Sequence, residues 1–233
     1  LLEKKQSPAD AGNIQQNAYI IKTTLAEFGI EVEMEGANVG PRVTQYTMRP
    51  PAGVNLSKIL ARDKELALNL AVDKIRIEAP IPNKSAVGIE VPNSIPSIVP
   101  LKSMLNDESF RSSKAELPIA IGYTINREVK TFDLTDAPHL LVAGATKQGK
   151  SVGLNVIISS LLYAKHPTEL KFVFIDPKMV EFTAYNALLK HYLAVLPMAA
   201  SEEDERENAI IKQPKQAEQV LNSLCIEMDE RYK

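Results

Sequence analysis

His139-Leu140-Leu141-Val142-Ala143-Gly144-Ala145-Thr146-Lys147-Gln148-Gly149-Lys150-Ser151-Val152-Gly153-Leu154-Asn155-Val156-Ile157-Ile158 is the stretch whose reading decides the fold. Residues 140–143 are short, apolar and end at a glycine, which predicts a buried strand. The residues after Lys150 continue without proline and predict a helix. Between them stands Gly-x-x-x-x-Gly-Lys-Ser, a phosphate-binding loop in the strand–loop–helix setting that it requires.

The chemistry asks for these residue types. Gly144 and Gly149 let the chain curl until successive backbone N–H groups converge on phosphate oxygens, and the positive end of the following helix adds to the same field. Lys150 would reach the β and γ phosphates as the catalytic cation, and the Ser151 hydroxyl would sit on magnesium. Gly144, Ala145, Thr146, Lys147, Gln148, Gly149, Lys150, Ser151 and Val152 form the candidate nucleotide-binding set. The bare pattern arises by chance in about 1% of chains of this size at average residue usage, so it is a specific signal. Lys147 stands where such loops often carry another glycine, and a lysine held at positive φ costs about 1 kcal/mol or more. Either its side chain points to solvent or it brings an extra cation near the phosphates.

Working outward, 233 residues with 45% hydrophobic content suffice for one large or two small domains with a filled core. A formal charge of −2 provides no global attraction to nucleic acid, so DNA contact needs a local basic patch or an assembly that concentrates such patches. Cys225 is the single cysteine, which excludes an intrachain disulfide and fits a reducing compartment. It lies on an apolar helical stripe with no second ligand at metal spacing, which predicts a core thiol. No run of 18 apolar residues and no signal sequence occur, so the chain reads as soluble. It starts at Leu1 without methionine and stops at Lys233 within a helical pattern, which predicts a fragment.

Four segments follow from the pattern: a linker at residues 1–16, a small α+β subdomain at 17–92, a connector at 93–116 and an α/β nucleotide-binding half-domain at 117–233. In the subdomain, Tyr19, Ile20, Ile21, Leu25 and Phe28 mark a helix closed by Gly29, and residues 30–35 alternate as a half-buried strand. A turn over 36–41, a strand at 42–48, one helix over 56–72 and strands at 74–78 and 85–90 complete it. Arg42, Arg49, Lys58, Arg62 and Lys64 sit among acidic residues, so a mixed-sign solvated surface is favoured over a nucleic-acid footprint. Three prolines in residues 91–100 mark the domain boundary. A short helix at 101–110 and strands at 117–122 and 128–134 lead to the glycine loop. Beyond it the pattern gives a helix at 152–163 buried on all sides, a parallel strand at 171–175, a helix at 180–189, an exposed loop at 199–208 and a helix at 215–232. Strand, helix and strand would make a right-handed βαβ unit.

Residues 139–155, Phe174-Ile175-Asp176-Pro177-Lys178, residues 76–93 and Phe110-Arg111-Ser112-Ser113-Lys114 resemble the motor region of the FtsK/SpoIIIE family of DNA translocases. The resemblance runs from about Tyr19 to the end. It implies a RecA-like P-loop NTPase core preceded by a small α+β subdomain, using ATP and Mg2+ and assembling as a homo-hexameric ring around double-stranded DNA. It also implies a cytoplasmic motor region, in a protein anchored in the bacterial inner membrane by a segment outside this chain, that moves chromosomal DNA at cell division. Gly144, Gly149, Lys150 and Ser151 match the family's nucleotide loop, while Lys147 departs from its usual glycine. In the family an Asp-Glu pair on a later strand polarises water, and that strand lies beyond Lys233.

Three functions follow: an ATP-dependent DNA-translocating motor present as a fragment, weak or inactive alone; a nucleotide-binding structural fragment; or a small P-loop kinase or GTPase with Asp176 as magnesium ligand. The last lacks an Asn-Lys-x-Asp base-reading signature.

Overall fold

The computed structural model describes residues 8–144, 149–195 and 201–233. Its internal contacts divide the chain into Leu1–Leu141 and Val142–Lys233, each taken here by itself.

The first unit is built on an antiparallel sheet. Helix α1 (Ile14–Glu27) starts where the Asn13 side chain accepts the Gln16 N–H, satisfying an end donor. It stops just before Gly29, whose φ of +72° turns the chain back. Strands β1 (Glu33–Val39) and β2 (Val43–Arg49) form a hairpin. Helices α2 (Leu56–Leu60) and α3 (Asp63–Asn69) and strands β3 (Arg76–Glu78) and β4 (Val87–Pro92) follow, giving the order β1-β2-β4-β3. Register pairs Tyr46 with Ile89 and Met48 with Val87, so strand alternation puts all four on one face. That face closes on Ile21 and Leu25 of α1, Ile59 of α2 and Leu66 of α3. Each fully buried side chain of this kind contributes about 1.5–3 kcal/mol relative to exposure.

Several boundaries differ from the sequence reading. α1 begins inside the segment assigned as linker, and Asp10 bridges Ile95 as well. Tyr19 points outward, because the helix buries the face of Ile21 and Leu25 instead. β1 runs on to Val39, since a bulge between Met34 and Gly36 absorbs the slip in register. The helix expected over 56–72 breaks in two, with Asp63 and Glu65 restarting it as favourable charges in the first turn of α3. The helix expected over 101–110 also breaks, into α4 (Leu101–Leu105) and α5 (Glu108–Arg111). There Asp107 caps the second piece by accepting the Ser109 N–H at 3.0 Å.

Strands β5 (Pro118–Tyr123) and β6 (Val129–Asp133) pair antiparallel and cover Met104, Leu105 and Phe110. This hairpin falls in the first unit, although the sequence grouped residues 117–233 together. Two of the basic residues named above are paired with acids: Arg49 with Glu35 at 2.6 Å and Arg62 with Glu65 at 2.9 Å.

In the second unit, α6 (Lys150–Ala164) leads to β7 (Phe174–Ile175), a 3-10 turn (Thr183–Leu188), α7 (Glu202–Asn208), β8 (Ile210–Ile211) and α8 (Pro214–Arg231). β7 and β8 are parallel, and Phe172 bridges Leu193 in the same sense. Ile158, Phe174, Leu193, Ala209 and Ile210 form the core, with the Phe182 ring 4.9 Å from that of Phe174.

Five expectations fail here for physical reasons. Residues 140–143, at the junction of the two units, form no strand, and Leu141 is 91% exposed. α6 is buried at Ile158, Ser160 and Leu161 only, leaving Val152 and Tyr163 outside. The helix expected at 180–189 is a 3-10 turn beginning at Thr183, because the Asp176 carboxylate takes the N–H groups of Glu181 and Phe182. In the segment read as an exposed loop, residues 199 and 200 lie outside the described residues and α7 occupies Glu202–Asn208. Ser201 accepts the Asp204 N–H there, and four acidic residues fill the first turn. Cys225 is exposed rather than a core thiol, since α8 buries only Val220 of its stripe.

Candidate active site at the amino end of helix α6

Gly149 holds φ +92° at the start of α6, a conformation open to glycine and strained for other residues. Its carbonyl accepts the Gly153 N–H at 2.8 Å, closing the first turn and setting Lys150 and Ser151 at the helix's positive end. Gly144 is exposed, Val152 points to solvent, and Ala145, Thr146, Lys147 and Gln148 lie outside the described residues. The expectations for Lys147 therefore stay with the sequence.

Lys150 and Ser151 converge on one oxygen. Ser151 Oγ donates to Glu181 Oε1 at 2.8 Å, and Lys150 Nζ lies 3.4 Å from the same atom. The presentation of Glu181 starts at β7. Asp176 follows that strand directly, and its N–H donates to the Ile211 carbonyl at 2.8 Å, extending the parallel ladder. Its carboxylate, 5% exposed, accepts the N–H groups of Lys178 at 3.2 Å, Glu181 at 2.9 Å and Phe182 at 3.2 Å. Met179, at φ +53°, carries the reversal between them. A second tie holds the two sides together: Asn155 Nδ2 donates to the Ser151 carbonyl at 2.8 Å, and the Tyr185 hydroxyl donates to Asn155 Oδ1.

Burial opposes ionisation of Asp176, yet the backbone N–H groups from Glu181, Phe182, Lys178 and Met179 outweigh it and hold the carboxyl below its usual range. Asp176 is thus an ionised clamp for the turn. Its oxygens are committed to the backbone, which argues against the kinase or GTPase reading in which it holds magnesium. Among the described residues no cluster of three or more His, Cys, Asp or Glu is placed to bind a metal.

The sequence reading named Lys150 and Ser151 and did not name Glu181, the residue that the structure brings to both. The signal was present in the five-residue step from Asp176 to Glu181: an Asp-Pro pair ending a strand nucleates a turn, and an acidic residue at its far end faces the neighbouring loop. The convergence of an ammonium and a hydroxyl on one anionic oxygen fits a phosphate oxygen in chemistry, and Ser151 supplies a hydroxyl suited to magnesium.

Such a site, on an apolar helix beside parallel strands, defines a mixed α/β chain with a P-loop NTPase core preceded by a small α+β unit. A model of the FtsK/SpoIIIE family matches residues 100–233, and one of the FtsK alpha domain matches residues 1–93. The chain belongs to the FtsK/SpoIIIE family. It is 42% identical over 229 residues to a DNA translocase FtsK of Clostridium acetobutylicum, covering 98% of this chain and 28% of that protein. It is also 42% identical over 224 residues to the DNA translocase SpoIIIE of Bacillus subtilis, covering 96% of this chain and 27% of that one. It thus spans just over a quarter of the length of these curated relatives. Among solved structures, the pCW3 conjugation coupling protein TcpA in its monomer form with ATPgS is similar at 20% identity and a TM-score of 0.42, covering 93% of this chain and 56% of that one.

Proposed function

We propose that this chain is the ATP-binding part of a motor that translocates double-stranded DNA, in a protein that segregates chromosomes at cell division. The observation that carries the reading is the convergence of Lys150 and Ser151 on a single anionic oxygen at the amino end of α6, in a chain of this family.

Magnesium ATP, when bound, supplies the phosphoanhydride whose cleavage powers movement. Lys150 would neutralise charge on the β and γ phosphates, Ser151 would offer its hydroxyl to the metal, and the backbone N–H groups of Gly149 and the first turn would supply donors to the anion. Gly144, Ala145, Thr146, Lys147, Gln148 and Val152 complete the proposed binding set. Residues 17–92 form the small motor subdomain, 93–116 the connector and 117–233 the first half of the ATPase domain.

Movement requires that subunits encircle the duplex as a homo-hexamer and grip its backbone charge rather than its sequence. One subunit's balanced surface and net charge of −2 make few phosphate contacts by themselves. Among the described residues no helix is long and apolar enough to cross a membrane.

The test is titration with a fluorescent ATP analogue and magnesium. The chain should bind it, and Lys150→Ala should weaken binding by at least about tenfold, the cost of an ion contact to phosphate. Turnover by this chain should stay below about 1 per second, under the common enzyme range. Unchanged binding by Lys150→Ala would overturn the assignment.

A further inference from the structure

We infer that Glu181 is the internal occupant of the nucleotide site, a positioning residue that holds Lys150 and Ser151 until a phosphate takes its place and so makes capture depend on a divalent cation. The inference rests on the nucleotide-site reading above and adds a residue to it.

Glu181 Oε1 receives both functional groups at once, the Ser151 hydroxyl at 2.8 Å and the Lys150 ammonium at 3.4 Å. A phosphate oxygen seeking the same two donors competes for the same point. Glu181 does not reach this position by a loose swing from solvent. Its own N–H is held at 2.9 Å by buried Asp176, and the Asp176 N–H is fastened at 2.8 Å to the β8 carbonyl of Ile211. Its side chain is mostly buried, at 21% exposure. The backbone is fixed while the carboxylate keeps its own rotamers, as an exchangeable occupant requires.

Charge sets the consequence. With Glu181 in place the Lys150 charge is already balanced, so an incoming polyphosphate must break that pair and then lie beside a carboxylate released into its own neighbourhood. Like charges at such range repel, more strongly where the site is partly dry. A divalent cation bound with the nucleotide offsets that repulsion, and bare nucleotide has nothing to offset it. Glu181 therefore penalises metal-free nucleotide more than the magnesium complex. Lys150 and Ser151 keep an anionic partner in either state, which avoids a stranded ammonium in the empty site.

Titration of the 233-residue chain with a fluorescent ADP analogue, with and without magnesium, tests this. Glu181→Gln should tighten metal-free binding by about fivefold, the scale of a partly exposed ion pair, and should narrow the ratio between magnesium-loaded and metal-free affinities. Glu181→Asp keeps the charge but withdraws the oxygen by one methylene, so it should tighten binding less and preserve that ratio. If the Gln variant does not fold by circular dichroism, the Asp variant carries the test with the same sign. Metal-free affinity unchanged or weakened in these variants overturns the inference. Weakening confined to the magnesium arm does so too, since it would make Glu181 a ligand of the metal side. Lys150→Ala separates the two claims: if it loses binding while Glu181→Gln gains none, only the Glu181 inference fails, and if it binds as wild type, both fail.

Discussion

The β2–β4 sheet of the first unit and the β7–β8 pair of the second show two ways of completing a core. In the first, strands pair antiparallel, β1 with β2 and β3 with β4 as sequence neighbours and β2 with β4 across the intervening helices, and one face is covered by α1, α2 and α3 from the same stretch of chain. Tyr46, Met48, Val87 and Ile89 end essentially without solvent contact. In the second, the paired strands are parallel and two residues long each, and apolar residues remain outside: Val152 and Tyr163 of α6, and Leu221, Leu224, Ile226 and Met228 of α8. Parallel sheets normally bury both faces under helices and draw their strands from distant sequence, so they complete late and only with enough chain. Apolar burial therefore holds the first unit together, whereas the candidate site in the second depends on a polar clamp around Asp176.

The largest effect that would break this contrast is in the core. Leu25→Ala should destabilise the first unit by about 2–5 kcal/mol, the range for truncating a fully buried leucine. Leu224→Ala, on the exposed side of α8, should cost under about 1 kcal/mol. Denaturant unfolding of both variants, followed by circular dichroism, compares them. Equal losses would show that α8 is packed in solution and that the second unit is as closed as the first.

Asp176→Ala comes next in size. It strands three backbone N–H groups at once, and an unsatisfied buried donor costs about 1–3 kcal/mol. The loss should be local, because the turn from Lys178 to Phe182 depends on this one carboxylate while Phe174 and Ile210 keep their packing. Amide hydrogen exchange of Glu181 and Phe182 should accelerate at least tenfold, with the first-unit amides of Tyr46 and Met48 unchanged. Acceleration spread over both units would mean that they unfold together and that the polar clamp is not a separate source of order.

What was legible in the sequence follows the same division. The antiparallel unit could be read because its period is local: the alternation through Thr44, Tyr46 and Met48 marks the face of β2 that the sheet buries, while Ile30 and Val32 are buried but precede β1. Its errors lay at boundaries and faces: the start of α1, the outward Tyr19, the bulge at Met34/Gly36, and two helix breaks, one restarted by acidic residues of the first turn and one capped by Asp107. At the junction of the units the apolar period of residues 140–143, and in the second unit that of α8, promised burial, but period reports what a segment can bury and not whether a partner arrives. Leu141 and Cys225 are exposed for that reason. The same limit applies to chemistry. Lys150 and Ser151 stand in a contiguous motif and could be found, whereas Glu181 is joined to them only through a turn whose hydrogen bonds start at Asp176. β8 was missed because two residues carry no period at all.

The smallest expected effect concerns acid, and it sharpens the contrast by finding a polar clamp in the first unit too. Asp133, at the end of β6, accepts the N–H groups of Thr135 at 3.0 Å, Leu117 at 3.0 Å and Glu116 at 2.7 Å, so it ties the start of β5 to the end of its partner strand. Led by the Thr135 N–H, these bonds pull its carboxyl down to about 2, against about 3.9 for an unfolded aspartate. A folded value below the unfolded one means that the ionised form favours folding. That contribution is fully present above about pH 4, where both states are ionised. It is lost as pH falls through the interval down to about 2, where the unfolded chain takes its proton first. Asp133→Asn should remove this part of the acid dependence. The stability difference between wild type and variant should be constant from neutral pH to about pH 5, then shrink toward pH 2 as the wild-type carboxyl is protonated. Asp107, lowered by the Ser109 hydroxyl and N–H, still titrates in both proteins and supplies the background slope. Urea unfolding at several pH values, with the Asp133 carboxyl followed by NMR, gives both readouts. A midpoint near 4 in the folded protein would mean that the three N–H groups do not hold the carboxylate in solution, leaving the β5–β6 hairpin to its apolar contacts with Met104, Leu105 and Phe110.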